Sequence, residues 1–311
     1  MPCIRRKTTL SMSTFRHTVA RAAACLVVCL AGSSSLGATL ERGQIRLQYS
    51  QGQEAVALET MGVLHTGLAT YAQRLPAGEE PIRVHICQTI AEFEGLSGGL
   101  PAKRVQGFAR SREGLIVLKA PVLLGPGSDY AGIVRHELLH VLLARNTDLD
   151  HLPRWLNEGV AMILSRENRW STMFSMARLY TGGRVIAYEN LEQVFNAPGN
   201  EMVFGDAYVQ SLSMTRYLQS QMGEETFWAM IYGLQDGPFD EALRSQTELT
   251  AEEFYDTWRG SLWRTALVFS IVTGMSLFQI AAILLVVAYL RKRMRNRRTL
   301  QKWAEEEEDA F

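Results

Sequence analysis

His136-Glu137-Leu138-Leu139-His140 is the stretch on which the reading of this chain turns. Its surroundings, Tyr130 to Arg145, carry apolar residues at helical spacing behind a capping Ser128 or Asp129, which predicts a helix with the pentapeptide in its middle. At about 100° per residue, four residues bring the two imidazoles onto one face. Two neutral nitrogen donors on one face can hold one Zn²⁺, and the adjacent Glu137 is close enough to act on a water held there. Leu138, Leu139, Val141, Leu142 and Leu143 make the rest of the helix apolar nearly all round, so it belongs inside a fold. Two histidines and a glutamate in that setting need partners.

Catalytic zinc takes three protein ligands and a water. The candidate for the third is Glu158, in Leu152-Pro-Arg-Trp-Leu-Asn-Glu-Gly159. It falls on the next predicted helix, Pro153–Ser165, whose Pro153 suits a first turn. A short connection returns that helix beside the first, and the neighbours Trp155 and Leu156 have the character of buried residues.

Strands are predicted at Ile45–Tyr49, Ile82–Ile86, Val105–Arg110 and Leu115–Leu118, with helices at Glu54–Gln73 and Ala91–Leu96 among them. After residue 150 the pattern turns helical: Leu191–Phe195, Asp206–Met222, Glu224–Leu234, Phe239–Ser245 and Thr250–Leu262. Strands first and helices later predict an α+β domain.

The pair HELLH and WLNEG resembles the zincin metallopeptidases of the gluzincin type, and most of all the peptidase MA-like group. The resemblance covers about Ile45–Leu262 and extends to Gly107-Phe-Ala, to Gly114-Leu-Ile-Val-Leu and to the run Ala207–Leu218. It implies a zincin-like fold, with an N-terminal mixed sheet carrying the active-site helix and a C-terminal helical subdomain. It implies Zn²⁺ held by His136, His140 and Glu158, with Glu137 as general base in the hydrolysis of a peptide or protein substrate, as an endopeptidase. The oxyanion donor falls to Tyr208 first, with Tyr217 and His151 as alternatives. Two departures stand out. The Gly-x-Met-Glu-Asn segment by which aminopeptidases of the clan hold a free amino group is missing. Met162 occupies the position four after Glu158, where thermolysin-like enzymes have Asp, so the residues that orient the histidines are not named by the pattern; Asp206 is a candidate only as an acid near the later motif. The competing reading is a catalytically inactive zincin-fold binding domain at a membrane surface.

The whole chain of 311 residues has 32 basic and 32 acidic residues, 47% hydrophobic and 21% charged. That composition excludes a disordered or collagen-like chain, and the balance gives no sign of a nucleic-acid partner. The charges are segregated. Residues 39–263 carry a net of roughly −8, and both ends are basic. Residues 1–38 read as a signal peptide: Arg16 and Arg21, the apolar run Ala22–Ala31, and small residues up to Ala38. Thr265–Leu290 carries no charge and is about 26 residues long, or roughly 39 Å of helix. With Trp263 and Tyr289 at its ends and Arg291, Lys292, Arg293 and Arg295 beyond, 264–290 reads as a transmembrane helix and 291–311 as a cytoplasmic tail. The expected arrangement is a single-pass protein of the cell membrane with residues 39–263 extracytoplasmic. Of the four cysteines, Cys87 alone lies outside the signal, as a buried thiol with no partner for a disulfide.

Overall fold

The computed structural model describes residues 37–98, 105–166, 169–196 and 201–308. The expected signal peptide lies almost wholly outside the described residues. Its last position, Ala38, opens strand β1 (Ala38–Arg42), which turns at Gly43 (φ +59°) into β2 (Ile45–Tyr49). That left-handed turn residue suits glycine. Strands β3 (Ile82–Cys87), β4 (Gly107–Arg110) and β5 (Leu115–Lys119) complete a five-stranded sheet in the order β1-β2-β3-β5-β4. The three central strands are parallel, while β1 and β4 run antiparallel at the two edges.

The predicted strand pattern explains which face is covered. Ile45 and Leu47 of β2, and Ile82, Val84 and Ile86 of β3, alternate with more exposed residues and point into the main core. On that face lie α1 (Glu54–Tyr71) and α3 (Tyr130–Asn146), the predicted central helix. The other face is covered by α2 (Ile90–Ser97), over a small cluster of Cys87, Phe93, Phe108 and Val117. β5, buried on both faces, reads as a continuous apolar run for that reason.

The second layer is helical: α4 (Arg154–Leu164), α5 (Arg169–Thr181), α6 (Tyr188–Asn196), α7 (Glu201–Met222), α8 (Glu224–Gly233), α9 (Phe239–Thr247) and α10 (Ala251–Glu308). Helix α5 lies in a stretch where the sequence predicts none. Its Met176, Ala177 and Leu179 are buried. Trp155, at the start of α4, is fully buried, with ring centroids 5.5 Å from Phe239 and 5.9 Å from Phe254, and so joins α4 to α9 and α10.

The expected fold class is corrected at its C-terminal end. The helix predicted to stop at Leu262 continues as one element to Glu308, and no proline follows Pro238 to interrupt it. Its first turns belong to the domain, since Phe254, Tyr255, Trp258 and Leu262 are buried. Part of the uncharged run does as well: Ala266 is buried, and Phe269 packs edge to face on Phe174 of α5. Among the described residues no helix is long and apolar enough to cross a membrane.

Candidate metal centre

Two helices in sequence build the site. Asp129 caps α3, its carboxylate accepting from the Gly132 N–H at 2.9 Å. At the other end Thr147 leaves the helix in an extended conformation, and its N–H and hydroxyl both donate to the Leu143 carbonyl. The connection from Thr147 to Pro153 then sends α4 back alongside α3. This antiparallel return brings Glu158 over the face of α3 that carries both histidines.

The three side chains converge closely. His136 Nε2 and His140 Nε2 are 3.1 Å apart, and each lies 3.4 Å from Glu158 Oε2. A tetrahedral ion with bonds of about 2.0–2.1 Å has ligand–ligand edges of ~3.3 Å, so the three donors are spaced as one ion would hold them. The chemistry of the donors agrees. His140 Nδ1 donates to Asn157 Oδ1 at 2.8 Å, which in the neutral imidazole leaves the Nε2 lone pair facing the other two ligands. Glu158 Oε2 is buried and makes no hydrogen bond. A lone pair and a carboxylate oxygen aimed at one point inside a protein call for a positive charge between them.

The electrostatics carry the same message. Burial alone would push the Glu158 carboxyl up, but His140 and His136 hold it well below the usual carboxylate range. Burial alone would lower His140, yet the Glu158 carboxylate raises it to about 9. Burial pushes Glu137 up, opposed by the two histidines and reinforced by Glu158.

Glu137 is itself buried and fits against the edge strand at a point where any side chain would be tight. A Cβ on Gly107 of β4 would lie 3.1 Å from Glu137 Cγ, 3.3 Å from its Oε1 and 3.1 Å from Leu118 Cδ2. Gly107→Val is expected to displace the carboxylate and to lower any hydrolysis at the site about 10²-fold with the fold retained, checked by turnover against circular dichroism.

Two cavities meet at the triad. The larger, about 630 Å³, runs along β4 and reaches Leu149, Leu152 and Arg154. The smaller, about 370 Å³, is walled by Ile133, Met162, Ser165 and Arg166. Both are lined by Gly107, His136, Glu137, Phe204 and Tyr208, beside β4 at the edge of the sheet.

Of the expected site residues, His136, Glu137, His140 and Glu158 come together, and Tyr208 reaches the cleft from α7, packed on Phe204 and Phe195 at 5.1 and 5.4 Å. The alternatives do not. Tyr217 packs on Phe254, and His151 Nδ1 donates to the Leu234 carbonyl, neither lining the cleft. Asp206 pairs with Arg184 at 3.3 Å instead of orienting a histidine. That task falls to Asn157, which sequence reasoning missed although it precedes Glu158 directly. Asn157→Ala is expected to weaken metal binding 10- to 100-fold, measured by competition with a chromophoric chelator.

A second convergence, His85, Cys87 and Glu92, has a sufficient structural explanation. His85 Nε2 and Glu92 Oε1 share a 2.7 Å hydrogen bond, and the other Glu92 oxygen accepts from the Gln88 N–H in a capping box with Thr89. Burial raises the Cys87 thiol to about 12, as the buried thiol predicted from sequence.

A scan against protein-family models finds no match, and a search of the curated proteins finds no relative. The fold and the site therefore define a class by geometry alone: an α+β domain with two histidines and a glutamate converging and a second glutamate beside them, in a cleft.

Proposed function

We propose that this chain is a zinc-dependent metallopeptidase of the zincin type that cleaves within extended peptide segments. The observation that carries the reading is the spacing of His136, His140 and Glu158 at 3.1–3.4 Å with Glu137 buried next to them. These three residues would hold the ion, and it would supply a Lewis acid for the scissile carbonyl and acidify a water.

The remaining work belongs to the chain's own groups. Glu137 takes the proton of the attacking water and delivers it to the leaving amine, a role suited to a carboxyl raised by its burial. Tyr208, which lines both cavities, would donate its hydroxyl to the developing oxyanion. Asn157 fixes the His140 ring and its tautomer. β4, at the sheet edge among the described residues, would offer backbone groups to an extended segment, and cavities lie on either side of Glu137 to receive it. The leader-like residues 1–38 support an exported domain.

The test is metal analysis and peptide-library cleavage on the purified chain. About one zinc per chain, lost in His136→Ala, with cleavage abolished by a chelator and restored by zinc, is the expected result. Zinc at that stoichiometry with no cleaved peptide would leave a binding domain in place of an enzyme.

A further inference from the structure

Arg166 lines the smaller cavity together with Ile133 and Met162, and it also borders a neighbouring cavity with Glu59 and Tyr71. It is the residue after the last turn of α4, with φ +67°, one of two non-glycine residues in the left-handed region among those described. Its backbone N–H donates to the Ile163 carbonyl at 3.2 Å, closing the helix as a glycine usually does. An arginine there costs conformational energy that glycine does not. Its guanidinium has no hydrogen bond or ion pair among the described residues. Of the two carboxylates lining the smaller cavity, Glu137 is buried beside the histidines, and Asp129 caps α3 and lies 3.5 Å from Arg135. The cavity thus offers an apolar wall and, in Arg166, a cation that has no partner among the described residues.

We propose that Arg166 binds a substrate carboxylate, so that the site prefers peptides in which an apolar residue occupying the Ile133–Met162 cavity is followed by a carboxylate. This rests on the peptidase reading above. The carboxylate has two sources, a free C-terminus or an acidic side chain inside a longer chain, and a planar guanidinium accepts either through paired N–H donors.

The experiment compares matched peptides on the full chain: one ending in a free carboxylate, one ending in a carboxamide, and longer versions with Asp or Asn at the same position. A preference of about tenfold in kcat/KM for carboxylate over carboxamide, or for Asp over Asn, is expected, and which pair shows it identifies the source. In Arg166→Gly that ratio falls to about one while the melting temperature holds or rises, because glycine suits the left-handed position; Arg166→Lys keeps part of the ratio. Binding of the same peptides to Glu137→Gln, read by fluorescence anisotropy, separates the two readings. Equal turnover of charged and neutral peptides by wild type overturns the carboxylate site and leaves the peptidase standing. No turnover, with Glu137→Gln and wild type both binding the charged peptides more tightly, overturns the peptidase and supports the carboxylate site. Equal binding of both overturns the site in either case.

Discussion

Glu137→Gln is expected to lower peptide hydrolysis by about 10²–10⁴-fold, the range that a positioned general base contributes, while zinc content stays near one per chain. The two halves of that result depend on different atoms. The proposed ligands are His136, His140 and Glu158, whose mutual spacing the substitution leaves alone. The lost function is the ability of one carboxylate oxygen to accept a proton. Glutamine has the same shape, so it fits the slot beside Gly107, and it carries no charge to bury. The melting temperature should therefore hold or rise. Hydrolysis at the wild-type rate in a zinc-loaded Glu137→Gln protein would remove this residue from the reaction.

Gly159→Ala is expected to produce the largest loss of stability of any single methyl addition in the described core. A Cβ at this position would fall 1.9 Å from Thr215 Oγ1 and 2.8 Å from the Ser211 carbonyl oxygen on α7. Helices α4 and α7 must then separate, at a cost of about 1–3 kcal/mol or more for an overpacked interior. Because Gly159 follows Glu158, the same displacement moves a metal ligand, so metal affinity falls together with stability. Urea unfolding with and without zinc reads both effects. Thr215→Ala gives a useful companion. Its hydroxyl is buried without a hydrogen bond, so the single variant should be near neutral. Combined with Gly159→Ala it should recover only part of the loss, since the Ser211 carbonyl remains in the way. Full recovery would place the whole conflict in the threonine side chain.

The ligand set was legible in the sequence because it obeys local rules. His136 and His140 share a helix face at any i, i+4 spacing, and Glu158 lies on the next helix of a short αα return. The sheet was legible where its strands alternate, as in β2 and β3. Other features arise from contacts between residues far apart in the chain. Gly107 is required by the shape of Glu137 across the sheet edge, and nothing around it in sequence marks that need. Gly159 is required by Thr215 and Ser211 of α7. Tyr217 and His151 carried the right chemistry for the oxyanion role, but the paths of α7 and of the α3–α4 connection point them at Phe254 and Leu234. The C-terminal run misled for a related reason. An uncharged stretch has one appearance in sequence whether it faces lipid or, as at Ala266 and Phe269, leans on a neighbouring helix.

All four residues of the ligand cage and its base lie between Tyr130 and Leu164, on α3 and α4, with Asn157 in the same segment. The loop they close is short, and closing a short loop costs little entropy. The sheet, by contrast, depends on β3 meeting β5 after a crossover, and α4 is held from behind by α7, which follows it in the chain. During synthesis the cage residues are therefore all present once Leu164 has emerged, well before Ser211 and Thr215. The proposed cage is contiguous in the chain, but the helix packed behind Glu158 is made later, so its grip on an ion would tighten only when the second half of the domain has arrived.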